Sequence, residues 1–255
     1  MADLARGFAD GLAVGRKRLS RWLKDNPDAI RQAVEAVQAF TIAAIDDIAE
    51  SENSFARAQM LDPAMVETLA RHGWYPTPEK SLMQHEFWAW ALEESDAEQV
   101  ESARQIGFKI FREDAHGIEA RLVEQFPHRA DILREAFEAH RHQRYFSSVA
   151  LFLTQADGIC QEIIGKSIYR AKTIAQADDI GEQFQEGILR ELFMGLMWHG
   201  WPLVLSDRKR PSGFSELNRH QVLHGESTDF GTEECSLKAM SFLNFSAFLL
   251  EGVKS

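Results

Sequence analysis

"ADILREAFEAHRHQRYFSSVALFLTQADGICQEIIG" (Ala130–Gly165) decides the fold class. Its apolar residues recur every three or four positions, which lines one face of a 3.6-residue helix and does not suit the alternation of a strand. The spacing predicts one helix through Ala139 and a second, strongly apolar one from about Tyr145 to Ile164.

The same interval runs almost everywhere along the 255 residues, and the helix-interrupting residues are sparse at 16 Gly and 7 Pro. The expected fold is therefore all-α, a multi-helix bundle. Upstream, helices are expected over Ala5–Lys24, from Asn26-Pro27, after Asp62-Pro63, and from Ser81 to about Phe126. Asn-Pro and Asp-Pro read as an N-cap followed by a proline at the first helical position. Between the last two, "RHGWYPTPEKS" (Arg71–Ser81) carries Gly73, Pro76 and Pro78 and is expected to be a surface turn. The acidic run Glu93, Glu94, Asp96 and Glu98 reads as an exposed face or a break between helices. Downstream, helices are expected near Glu182–Trp198, near Phe214–His224 and from about Glu233 to Leu250. His-Gly recurs at His72, His199 and His224, each time where a glycine would close a helix.

With 45% hydrophobic and 26% charged residues the chain can bury a substantial core. A net charge of −11 argues against a protein that coats nucleic acid through its charge alone, while leaving room for a small basic site. Cys160 and Cys235 show neither C-x-x-C nor zinc-type spacing, which favours a reducing, cytoplasmic setting. No stretch approaches the roughly 20 apolar residues of a membrane span, so no membrane association is expected. The basic end of the first predicted helix (Arg16, Lys17, Arg18, Arg21, Lys24) complements a helix dipole as readily as it would suit a membrane surface. There is no P-loop, no G-x-G-x-x-G after a strand and no G-x-S-x-G, so nucleotide hydrolysis, dinucleotide redox and α/β-hydrolase chemistry have no support. His128, His140 and His142 form no convincing set.

One segment gathers catalytic-type side chains, "SELNRHQVLHGESTDFGTE" (Ser215–Glu233). His220 and His224 stand at i and i+4, the spacing of two zinc-binding histidines, but position 221 is Gln where a zinc peptidase needs its glutamate, and only Glu226 and Asp229 offer themselves as further ligands. No metal and no cofactor are expected. As a metal-independent site, Arg219 supplies a permanent planar cation for a phosphate and a histidine moves protons near neutrality. On an ideal helix positions 219 and 224 point about 140° apart, and Gly225 answers that difficulty by letting the helix end at His224. An Arg and a His near a helix end also serve simply to satisfy its last carbonyls.

"LNRHQVLHG" with the following "DFGTEECSLKAMSFLNF" closely resembles the C-terminal motif of the HEPN superfamily, an Arg, a polar residue and a His four to six residues beyond the Arg. Arg219 matches the arginine, His220 the polar position and His224 the closing histidine, near the end of a helical chain with one long helix after them. The resemblance covers mainly Tyr145–Leu250. It implies a HEPN-like core over 145–255, with 1–144 a helical region that is an accessory part of the same bundle or a subdomain. It further implies a homodimeric endoribonuclease leaving 2′,3′-cyclic phosphate ends, of the kind found among toxins and phage-defence effectors, with RNA as substrate and an antitoxin or regulatory protein as a possible partner. His224 is then the general acid/base, Arg219 the stabiliser of the phosphorane and His220 an orienting residue. The alternative is a non-catalytic module that binds a nucleotide, RNA or a protein through the same surface. Asn218 adjoins the motif as a supporting residue. Asp157 lies on the apolar helix, where a carboxylate needs a partner; that partner is Arg219, or the residue sits at the surface by a bend at Gly158. Arg208, Lys209 and Arg210 lead into the motif as an RNA-recruiting loop or an ordinary solvated one.

Overall fold

The computed structural model describes residues 61–253 except 79, 81, 94–96, 168–180, 185–186 and 199–200. The expectations for Ala5–Lys24, Asn26-Pro27 and His199 lie outside the described residues. Everything described belongs to one compact unit, Asn53–Ser255, so the part of 1–144 that is described shares a unit with 145–253. Eight α-helices are described: α1 (Pro63–Arg71), α2 (Leu82–Glu93), α3 (Ala97–Gln125), α4 (Ala130–Arg141), α5 (Tyr145–Ile164), α6 (Ile188–Trp198), α7 (Arg219–Leu223) and α8 (Glu233–Leu250). No strand occurs among the described residues, only one isolated bridge between Phe184 and Val253. The protein is an all-α helical bundle.

Local chemistry sets the helix ends. Asp62 caps α1, its Oδ1 accepting from the Ala64 N–H at 2.9 Å, with Pro63 at the first helical position. α1 closes in a Schellman turn at Gly73 (φ +75°), where the Trp74 N–H reaches the Leu69 carbonyl and the Gly73 N–H reaches that of Ala70. α4 closes the same way at Gln143, which holds φ +58° without being glycine and turns the chain directly into α5.

α8 is the axis. Every residue from Ser236 to Leu250 is buried, so α8 carries apolar side chains all round its surface, as a helix does only inside a bundle. It packs most extensively on α5 and also on α3 and α6, while α5 packs on α4 with Phe137 and Phe152 edge to face at 4.9 Å. The polar residues of α8 bring partners with them. Ser236 joins buried His140 (2.8 Å) and Ser148 (2.7 Å), and Asn244 bonds Thr77 (3.0 Å) and Arg121. Thr232 caps α8 through the Cys235 N–H, and Glu233 and Glu234 place negative charge at its positive end.

The segment expected as a surface turn is core. Gly73 to Thr77 are all buried: Trp74 packs against Trp88 and Phe111, and Tyr75 against Phe242 and Phe245. The two large rings outweigh the turn chemistry of Gly73 and Pro76; Trp74 Nε1 and the Tyr75 hydroxyl are buried without a hydrogen-bond partner, whereas Thr77 is met by the core. The Thr77 N–H donates to His85 Nε2 at 3.1 Å, and Thr77 Oγ1 accepts from Asn244. Both cysteines are free, and no helix among the described residues is long and apolar enough to cross a membrane.

Candidate functional site

The motif helix is shorter than its apolar pattern predicts. α7 spans five residues, Arg219–Leu223, because Asn218 is extended (φ −133°, ψ 124°) and caps it. Asn218 Oδ1 accepts from the N–H groups of His220 (3.0 Å) and Gln221 (3.3 Å), while its Nδ2 donates to the carbonyls of Pro202 (2.7 Å) and Leu205 (3.0 Å). At 1% exposure the side chain is a buried clamp between the motif and the 202–205 segment. At the far end His224 is the C-cap, and Gly225 (φ +72°) completes a Schellman turn: the Glu226 N–H reaches the Gln221 carbonyl (2.8 Å) and the Gly225 N–H that of Val222 (3.2 Å).

Two ion pairs hold the flanks. Just before the motif, Glu216 receives Lys238 Nζ at 2.9 Å; that lysine, buried on α8, also meets Glu234 (3.0 Å) and lies over the Trp74 ring at 5.7 Å. Just after it, Glu226 receives Arg210 at 3.1 Å, and Asp207 takes the same guanidinium at 2.7 Å. A side chain only 8% exposed and held by two carboxylates is a tether. Arg210 therefore differs from Arg208 and Lys209, which are exposed.

α7 has little more than one turn, and three side chains line up along it. Arg219 Nη2 donates to His220 Nε2 at 2.9 Å, and the rings of His220 and His224 stack, centroids 5.8 Å apart and 12° from parallel. An arginine only donates, so Nε2 of His220 is the unprotonated nitrogen and the ring is the neutral tautomer with its proton on Nδ1. Burial, then the neighbouring Arg219, His224 and Arg210, hold the His220 imidazole below the ordinary histidine value, against the pull of Glu226. His220 thus stands between the two ends of the motif, bonded to Arg219 and stacked on His224. His224 lies outside the helical lattice at φ −98°, ψ 1°, exposed.

Asp157 finds its partner locally. Its carboxylate accepts from Ser167 Oγ, just past the end of α5, so the acid expected to brace Arg219 is satisfied by a serine. The bend reading of Gly158 also gives way: Gly158 lies inside α5, and the Arg129 guanidinium fills the space beside it, bonding the Gly158 carbonyl (3.0 Å), Gln155 (3.0 Å) and Glu162 (2.8 Å). Sequence reasoning passed over Glu216 and Lys238, and weighed Glu226 only as a metal ligand and not as the partner of Arg210. The lysine carried a signal, a lone cation in the apolar run "SLKAMSFLNF" that must find a carboxylate. Among the described residues no three His, Cys, Asp or Glu side chains converge as a metal-holding group. No protein-family model, no curated protein and no solved structure matches the chain.

Proposed function

We propose that the protein is a metal-independent endoribonuclease of HEPN type, acting in the cytoplasm as a homodimer in the manner of a toxin or defence effector held by a regulatory partner. One observation carries the reading, the continuous line Arg219–His220–His224 ending in an exposed imidazole whose ring is stacked instead of spent on helix carbonyls. In the reaction His224 takes the proton of a ribose 2′-hydroxyl, O2′ bonds to phosphorus, the P–O5′ bond breaks and the imidazolium so formed returns its proton to O5′. The products are a 2′,3′-cyclic phosphate and a 5′-hydroxyl. Arg219 faces the charge gathering on the phosphorane oxygens, and neutral His220 orients that guanidinium through Nε2.

The test is cleavage of total cellular RNA by the purified protein in EDTA. Activity is expected for the parent and is expected to be lost in His224→Ala, with an unchanged melting temperature; a cleaving His224→Ala would remove the assignment. A second reading draws on a different feature of the same helix. Leu223, between the two histidines, is 39% exposed, as a residue that docks a partner would be, and the net charge of −11 suits a protein partner. RNA left intact by the parent favours that binding module.

A further inference from the structure

Next to the motif lies a cleft of about 530 Å3 lined by Trp201, Pro202, Leu205, Pro211 and Phe214. Two of these residues are the ones Asn218 grips, since its amide donates to the carbonyls of Pro202 and Leu205. A third, Pro211, follows Arg210, which is tied to Glu226 behind the motif. The cleft is therefore tied to the two residues that flank the motif, Asn218 before it and Glu226 after it. Its lining is largely ring and aliphatic carbon, with Trp201 buried and Phe214 partly exposed, the kind of surface on which the face of a nucleobase settles.

Polar groups line the same cleft. Glu67 and Arg71 of α1 complete it, joined to each other four residues apart along the helix. Glu67 Oε1 already accepts from Arg71 Nη2, which leaves Oε2 and the second lone pair of Oε1 to accept and the remaining guanidinium N–H groups to donate. The Watson–Crick edge of guanine presents one acceptor, O6, followed by two donors, N1–H and the N2 amino group. Arg71 on O6 and Glu67 across the two N–H groups complete that set with charge-assisted bonds. Uracil, with a single N–H between two carbonyls, leaves one carboxylate oxygen facing a carbonyl, and adenine offers one amino donor beside a bare ring nitrogen. Cytosine places only its amino group against the carboxylate, and its smaller ring covers less of the aromatic lining.

We propose that this cleft is a guanine-binding subsite, which seats the base of the nucleotide whose phosphate reaches the Arg219–His224 line. The identity of the strand as RNA rests on the nuclease reading; recognition of the base does not. Calorimetric titration of the full-length protein with the 3′-monophosphates of guanosine, adenosine, cytidine and uridine tests it without any cleavage. The guanosine nucleotide is expected to bind at least about tenfold more tightly than the other three, and Glu67→Gln, an isosteric change at a half-buried helix position, is expected to erase that preference with the melting temperature little changed. Equal affinities, no binding of any of the four, an equal or tighter grip on the cytidine nucleotide, or a preference that survives Glu67→Gln would each overturn the proposal. Mapping of RNA ends separates the two readings. Guanosine-selective binding by a protein that cuts no RNA removes the nuclease and keeps the subsite, whereas cleavage that depends on His224 and is indifferent to guanosine keeps the nuclease and removes the subsite.

Discussion

α7 and α8 are neighbours in sequence and opposites in construction. From Ser236 onward α8 is buried on every side, and it is helical because the bundle packs around it. α7 buries only Val222, and its five residues are too few to persist as a helix on their own. Caps and tethers hold it instead: Asn218 at one end, the Gly225 turn at the other, and ion pairs through Glu216 and Glu226 on its flanks. A reactive group needs solvent access together with a fixed position, and a short helix braced at its ends supplies both where a packed helix supplies only the second.

Truncations give the widest separation between the two. Phe245→Ala removes a fully buried ring that meets Tyr75 and Phe248, and is expected to cost about 3–5 kcal/mol, whereas Leu223→Ala in α7 should stay within about 0.5 kcal/mol. Urea denaturation measures both, and a costly Leu223→Ala would mean that α7 is packed after all. Next in size is the clamp. Asn218→Ala deletes a cap and two carbonyl contacts, for an expected loss of about 2 kcal/mol and a larger loss of any cleavage activity, since the motif backbone is then unpinned. Asn218→Asp keeps the cap acceptor and turns a carboxylate toward two carbonyl oxygens. If it is as damaging as alanine, the contacts to Pro202 and Leu205 matter more than the cap; a near-native Asn218→Asp would assign the effect to capping.

The same contrast separates what was legible in the sequence from what was not. Periodicity located α4 and α5 to within a few residues, because one-sided burial leaves a three-four pattern, and α8 was legible as a long apolar run closing the chain's helical pattern. Asp62-Pro63 and the glycines after His72 and His224 were legible for a local reason: caps and left-handed turns are short-range chemistry. Long-range partners were not. The pattern over Phe214–His224 suggested a full helix, but its start depends on carbonyls 13 and 16 residues upstream of Asn218. Arg210 read as one of three loop cations, yet two carboxylates hold it; Asp157 was matched with Arg219, yet Ser167 supplies its bond. "RHGWYPTPEKS" has the composition of a turn and the burial of a core segment, because composition does not report that Asn244 and His85 wait to receive Thr77.

Acidification acts on both constructions to a smaller degree. His140, buried against α8, and His220, on α7, are each held below the ordinary histidine value of 6.5, in both cases first by burial; around His140 the guanidinium groups of Arg141 and Arg112 add to this and Glu233 opposes it. A depressed histidine is harder to protonate in the folded chain than in the unfolded one, so the unfolded state takes up the proton first. Stability is therefore complete above about pH 6.5 and declines as the pH falls below it. Glu233, Glu234 and Glu162, whose carboxyls lie below their ordinary value of 4.5, keep their contribution until more acidic solution. The urea midpoint should be lower at pH 5.5 than at pH 7.5, and His140→Gln should flatten that difference; an equal midpoint at the two values would show that neither imidazole resists its proton.

The smallest effect on stability is expected where the basic loop faces solvent. Arg208 and Lys209 are exposed, so replacing both with glutamine should leave the unfolding free energy in urea within about 0.5 kcal/mol of the parent. If they meet the phosphates of a single strand, the same double variant loses affinity for RNA, and the slope of log K against log salt becomes shallower by up to about 1.4, about 0.7 for each contact removed. Arg210→Gln reverses the pattern: it breaks the link between Asp207 and Glu226 and is expected to lower the midpoint, while its effect on the salt slope stays small because the guanidinium is already neutralised by two carboxylates. A loop that changes the salt slope through Arg210 and not through its exposed neighbours would place the polyanion against the tether, and Glu226 would then be a competitor for phosphate instead of a brace for the motif.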